Sequence, residues 1–127
     1  METEGELLFV YGTLQSGRPA HALMRLRRAE YIGEARLHGY ALYDLFYYPG
    51  IVPDDTESVL GEVYRVSDAA LATLDLYECE GSLFTRRVAD VSLTGSGNIK
   101  AFIYVYNKAV TTRARIPMTR QPWRMEG

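Results

Sequence analysis

The apolar run Leu7-Leu8-Phe9-Val10 stops at Tyr11-Gly12-Thr13-Leu14, and this junction constrains the fold more than any other segment. Four apolar residues ended by a glycine read as a buried strand running into a turn. Gly12 has no Cβ, so its backbone can take unusual dihedrals and a ligand can approach its amides closely. Thr13 adds a hydroxyl. Free N–H groups at a strand end suit an anionic or carbonyl oxygen. The plain alternative is a strand-to-loop turn with no ligand, and a short glycine motif does not decide between the two.

A second informative stretch is Leu74-Asp75-Leu76-Tyr77-Glu78-Cys79-Glu80-Gly81. It closes a helix that the sequence starts with Ser67 as N-cap, Asp68 in the first turn and helix formers from Ala69 to Tyr77. Leu71 and Leu74 are spaced i, i+3, and Glu78 follows Leu74 by four. Glu78 therefore shares the face that the leucines turn inward. A carboxylate aimed into apolar surroundings has its pKa raised, which suits a general base near neutral pH. The alternative is a frayed helix end with Glu78 in water. Cys79 beside it has the chemistry of a nucleophile, but no histidine is near it in sequence.

The remaining elements alternate without repeats. Leu7 to Tyr11 reads as a strand, and Ala20 to Arg27 as a short helix after Pro19, with Leu23 and Leu26 inward. Arg25, Arg27 and Arg28 form a solvated face, with a nucleic-acid patch as the minor alternative. Tyr31 to Tyr43 reads as one or two strands, Asp44 to Pro53 as an aromatic loop, and Val59 to Val66 and Phe84 to Leu93 as strands. Thr94-Gly95-Ser96-Gly97-Asn98 is a hairpin turn before a return strand from Ile99 to Tyr106. The basic, proline-punctuated segment from Lys108 onward reads as a partly mobile tail of a single domain spanning 1–127. Many strands with two helices make an α+β domain.

A chain of 127 residues with 47% hydrophobic content can bury one core. A net charge of −2 gives no push toward nucleic acid or membrane. One cysteine excludes an internal disulfide and fits a reducing, cytoplasmic setting. With two histidines and one cysteine, a zinc site has almost no ligands to draw on, and no metal is expected. No apolar run is long enough to span a bilayer, and the acidic Met1-Glu2-Thr3-Glu4 is unlike a signal peptide.

Taken in order, these segments resemble the gamma-glutamylcyclotransferase-like family, which includes gamma-glutamylamine cyclotransferases. The resemblance runs through Val10-Tyr11-Gly12-Thr13-Leu14, Gly17, His21 and Leu23. It continues in Gly39-Tyr40-Ala41-Leu42-Tyr43-Asp44, Tyr48-Pro49-Gly50-Ile51-Val52-Pro53 and Gly61-Glu62-Val63-Tyr64. Leu74-Asp75-x-x-Glu78 and Phe102-Ile103-Tyr104-Val105-Tyr106 complete it. Two places depart from the family. Its members often have glycine directly after the catalytic glutamate, whereas Cys79-Glu80 intervenes here before Gly81. Counting from Leu74-Asp75 selects Glu78, and counting back from Gly81 selects Glu80; the helical face favours Glu78. The tail Arg120-Gln121-Pro122-Trp123-Arg124 replaces the Gly-Asp-Trp segment of many relatives.

The resemblance implies a small mixed β-barrel with flanking helices and cyclisation of a gamma-glutamyl amide to 5-oxoproline. It implies Glu78 as the catalytic acid–base, with Tyr11, Gly12, Thr13, Leu14 and Tyr104 binding the substrate. The substrate carries its own nucleophile, so no cofactor is required, and the partner is a small molecule rather than nucleic acid or membrane. A binding module without turnover, or an interaction domain using Phe46-Tyr47-Tyr48-Pro49, remains the alternative on the same fold.

Overall fold

The apolar run forms strand β1 (Glu6–Val10), with both of its faces covered. Phe9 packs into one core cluster with Tyr11, Leu37, Ile51, Val63 and Ile103. Leu8 and Val10 pack into a second with Met24, Leu71, Leu74 and Tyr104. Alternate residues of a strand point to opposite faces, so a strand covered on both sides reads as a continuous apolar run. The structure is a computed structural model that describes residues 5–18, 21–46 and 48–123, with backbone only at 25 and 26.

The other elements are helix α1 (His21–Leu26), β2 (Glu30–Asp44), β3 (Pro49–Val66), helix α2 (Asp68–Tyr77), β4 (Phe84–Leu93), β5 (Gly97–Tyr106) and β6 (Ala114–Arg115). A 3₁₀ turn follows at Met118–Arg120. The chain is a mixed α+β fold dominated by one six-stranded sheet. Its strand order is β3-β1-β5-β4-β2-β6, and β2 also pairs with β3, so the pairings return on themselves. β1 lies antiparallel to β3 from Glu6↔Val66 to Val10↔Glu62 and parallel to β5 at Leu8↔Phe102. Both helices contribute to the second cluster, Met24 from α1 and Leu71 and Leu74 from α2.

Gly61 shows how closely the strands approach. A Cβ there would collide with the Val10 carbonyl and lie 2.8 Å from the Phe9 ring. Only glycine lets Phe9 reach the core across β3.

Two expectations change, and a third is narrowed. The stretch 44–53 is not a loop: Pro49 to Pro53 pairs with Asp44 to Tyr40, leaving only 45–48 as the connection. Pro49 opens the strand and Pro53 lies opposite Tyr40, where the register shifts at Gly39, so neither proline interrupts a regular ladder. Gly39 has φ +90°, and the bulge makes β2 one bent strand rather than two. The hairpin turn is shorter than expected, because Gly97 and Asn98 already pair with Leu93 and Ser92.

The segment after Lys108 is anchored at several points as far as Trp123. β6 pairs with Tyr43 and Asp44, Ile116 N–H donates to the Leu42 carbonyl at 2.8 Å, and Ile116 and Trp123 are buried in the first cluster. The Gln121 side chain accepts the Leu60 N–H at 2.8 Å and donates to the Ile116 carbonyl at 3.1 Å. Basic composition concealed two core residues and one side chain that satisfies a strand's backbone. Ala20, Tyr47 and Arg124 lie outside the described residues, as do the side chains of Arg25 and Leu26. Arg27 and Arg28 are exposed. Among the described residues, no helix is long and apolar enough to cross a membrane.

Candidate active site

A cavity of about 280 Å³ opens where β1 ends. Its walls come from Tyr11 to Leu14, the α2 terminus at Tyr77-Glu78-Cys79, Tyr48-Pro49, Leu83-Phe84 and Tyr104. The helix is set by local sequence. The Ser67 side chain accepts the Ala70 N–H at 3.0 Å, which fixes the start. Leu71 and Leu74 are buried on the inward face. Glu78 ends the helix as its C-cap, donating its own N–H to the Leu74 carbonyl at 2.9 Å. Cys79 then takes a left-handed φ of +53°, which turns the chain out of the helix.

Glu78 lies one turn beyond Leu74 and lines the cavity, while Glu80 does not. Among the described residues the Glu78 carboxylate has no hydrogen-bond partner and no ion pair. Glu78 is half-buried in the cavity wall, with protein crowding its carboxyl. Desolvation therefore pushes its pKa up from 4.5 to about 7. Glu80 is exposed, and its carboxylate accepts the Arg86 N–H at 3.2 Å.

The turn after β1 lines the same cavity. Gln15 N–H donates to the Gly12 carbonyl at 3.1 Å and closes the turn. Among the described residues, no protein acceptor takes the N–H groups of Gly12, Thr13 or Leu14. Gly12 does not have the left-handed φ that sequence allowed. Close approach favours glycine instead, since a Cβ would lie 3.0 Å from Cδ of Pro49. The Thr13 and Tyr77 hydroxyls share a hydrogen bond of 2.7 Å, tying the turn to the helix end.

Both tyrosines singled out from sequence line the cavity, but their hydroxyls are engaged elsewhere. Tyr11 donates to the Tyr104 carbonyl and Tyr104 donates to Asp75, each at 2.7 Å. Asp75 also faces the Arg86 guanidinium at 3.0 Å. Burial raises both phenols, with the Asp75 hydrogen bond adding to the shift at Tyr104, so they stay neutral. They offer rings and backbone rather than free hydroxyls. The sequence reading leaves out Tyr48, Pro49 and Phe84, whose approach to Glu78 depends on tertiary pairing that no local pattern encodes, and Tyr77, whose place beside Glu78 in the chain was a local signal for it. The run Tyr48-Pro49-Gly50 was the one signal for two of them.

Cys79 is exposed and lines the cavity, but neither histidine does. His21 Nδ1 is 2.9 Å from the Leu14 carbonyl, and His38 Nδ1 is 2.8 Å from the Ser58 hydroxyl. Among the described residues, no group of three or more His, Cys, Asp or Glu side chains is placed to hold a metal.

A half-buried carboxylate and a turn with free amides line one cavity, an arrangement able to exchange a proton and to hold a negative oxygen of a small ligand. The sequence places it in a family. The family description "Gamma-glutamyl cyclotransferase, AIG2-like" matches residues 8–125, and the chain belongs to that family. Gamma-glutamylcyclotransferase family protein YtfP of Escherichia coli K12 is 36% identical over 103 residues, covering 81% of this chain and 84% of that protein. The gamma-glutamylaminecyclotransferase of Bos taurus is 33% identical over 110 residues, covering 76% of this chain and 63% of its own length. Among solved structures, an AIG2-like protein of Mus musculus superimposes with a TM-score of 0.78 at 24% identity. That match covers 87% of this chain and 82% of the mouse chain, and it supports the fold alone. A protein of Arabidopsis thaliana superimposes with a TM-score of 0.72 at 29% identity, over 86% of this chain and 74% of its own.

Proposed function

We propose that this chain is a cyclotransferase that closes the gamma-glutamyl part of an amide to 5-oxoproline and releases an amine or amino acid. The observation that carries this reading is the Glu78 carboxyl, pushed up to about 7 by desolvation in the same cavity as the free amides of Gly12 to Leu14. Ionised Glu78 takes a proton from the substrate's α-ammonium. The freed amine attacks the γ-carbonyl carbon, and the carbonyl electron pair moves onto oxygen. Glu78 gives its proton to the leaving nitrogen as the C–N bond breaks, and the remaining proton on the new ring nitrogen passes through Glu78 to water. One carboxylate with a pKa near neutrality can serve both transfers.

Because nucleophile and electrophile sit in one molecule, holding the near-attack geometry supplies much of the acceleration. Three successive amides at the turn suit the α-carboxylate, whose two oxygens accept several hydrogen bonds. We read the closed ring of strand pairings as the small β-barrel implied by the resemblance. The test is 5-oxoproline release from a panel of gamma-glutamyl amides, amino acids and peptides. Saturable binding without product would instead make the domain a binding module, and a panel with neither would remove the reading.

Activity is expected to survive EDTA, since the amine is its own nucleophile and needs no metal activation. Cys79→Ser is expected to leave kcat nearly unchanged. Loss of activity in a folded Cys79→Ser protein would restore the thiol as nucleophile.

A further inference from the structure

Five of the residues lining the cavity carry hydroxyls: Tyr11, Thr13, Tyr48, Tyr77 and Tyr104. Tyr11 donates to the Tyr104 carbonyl and Tyr104 to Asp75, while Thr13 and Tyr77 share one hydrogen bond that spends one of their two protons. Among the described residues, only the Tyr48 hydroxyl has no protein partner. Its ring is partly packed. It packs on Phe84 at 6.2 Å between centroids, and Phe84 packs on Tyr106 at 5.5 Å. Its backbone carbonyl accepts the Leu45 N–H at 3.0 Å. A half-buried ring packed on an aromatic neighbour, on a residue that lines the cavity and has an unspent hydroxyl, is suited to a ligand oxygen.

We propose that Tyr48 is a catalytic residue whose hydroxyl donates a hydrogen bond to the substrate's γ-carbonyl oxygen as that oxygen becomes negative. The proposal rests on the cyclotransferase reading. Among the described residues, no lysine, arginine or histidine lines the cavity, so neutral donors must stabilise each negative oxygen. The α-carboxylate needs several donors, which the turn amides provide. The oxyanion is a single oxygen and can be served by a single preorganised hydroxyl. Tyr48 also shares the cavity wall with Glu78 and the turn. Pro49, the next residue, lies against Gly12. Desolvation first, then Tyr106 and Glu78, raise the phenol pKa, so it remains a hydrogen-bond donor throughout the neutral range. Attack forms the bond from the α-nitrogen to the γ-carbon and places the carbonyl pair on oxygen. Tyr48 keeps its proton throughout. Collapse restores the carbonyl and expels the amine.

The experiment is steady-state kinetics of Tyr48→Phe on the best substrate of the panel, with 5-oxoproline binding measured by calorimetry. The ring and its packing are kept, so the melting temperature and 5-oxoproline affinity should match wild type. kcat should fall by roughly 10²- to 10³-fold, with KM changed little. Tyr48→Leu, which also removes the ring, should add a loss of stability to the same loss of kcat. Unchanged kcat in Tyr48→Phe, or a rise in KM alone, overturns the proposal. A wild-type protein that turns over nothing in the panel overturns the cyclotransferase reading and the Tyr48 role with it.

Discussion

Glu78→Gln is expected to lower kcat by about 10²- to 10⁴-fold on any substrate that the wild type turns over, because Gln cannot accept the ammonium proton. Size and hydrogen-bonding capacity are kept, so circular dichroism should report the native fold. Glu80→Gln is expected to change kcat little. Glu80 is exposed, it is absent from the cavity wall, and its carboxylate is occupied with the Arg86 N–H. The two variants decide between the two ways of counting the motif. A large loss in Glu80→Gln beside a mild loss in Glu78→Gln would transfer the role to Glu80.

The same variant has a pH signature in both rate and stability. In wild type, kcat/KM should fall on the acid side of about pH 7, as Glu78 takes up its proton. Glu78→Gln should lose that limb. For stability, the folded state holds the Glu78 proton up to about pH 7, whereas the unfolded chain releases it near the ordinary 4.5. Between those values the folded state binds more protons, so stability falls as pH rises through the window. The shift corresponds to at most about 3 kcal/mol, less whatever solvent at the cavity mouth screens. At pH 8 Glu78→Gln should therefore melt above wild type, and the difference should close as the pH approaches 4.5. Equal melting temperatures at pH 8 would mean that the carboxylate is hydrated.

The parts of the fold that were legible in sequence are those set by neighbours in the chain. The Ser67 cap, the Leu71–Leu74–Glu78 face and the strand Phe84–Leu93 all depend on spacings of a few residues, and the structure holds them where those spacings put them. The first part of β3 was not legible, because Pro49-Gly50 and Pro53 are local breakers that only the pairing with β2 overrides. Order at Ile116, Gln121 and Trp123 depends on contacts with Leu42, Leu60 and the first core cluster. The site divides the same way. Glu78 could be reached from one helix, but the commitment of the Tyr11 and Tyr104 hydroxyls, and the lack of one at Tyr48, is visible only when strands far apart in sequence meet.

Gly12→Val is the other variant with a large expected effect, and the reason is space rather than dihedral freedom. The ideal Cβ at position 12 lies 3.0 Å from Cδ and 3.1 Å from Cγ of Pro49, tighter than ordinary packing. Valine adds two methyl groups on a stiff χ1. Something must move, and Pro49, Tyr48 and the turn amides all belong to the cavity wall. Overpacking of this kind costs roughly 1–3 kcal/mol. Its larger effect should be on the ligand, because a displacement of about 1 Å in a positioning group can cost on the order of 10² in rate. Calorimetry with a non-cleavable gamma-glutamyl analogue should find no measurable affinity in a Gly12→Val protein that still melts cooperatively. Gly12→Ala, with the Cβ alone, should fall between this variant and wild type. Wild-type affinity in folded Gly12→Val would show that the turn can be moved without consequence, and the anion site would then have to lie elsewhere in the cavity.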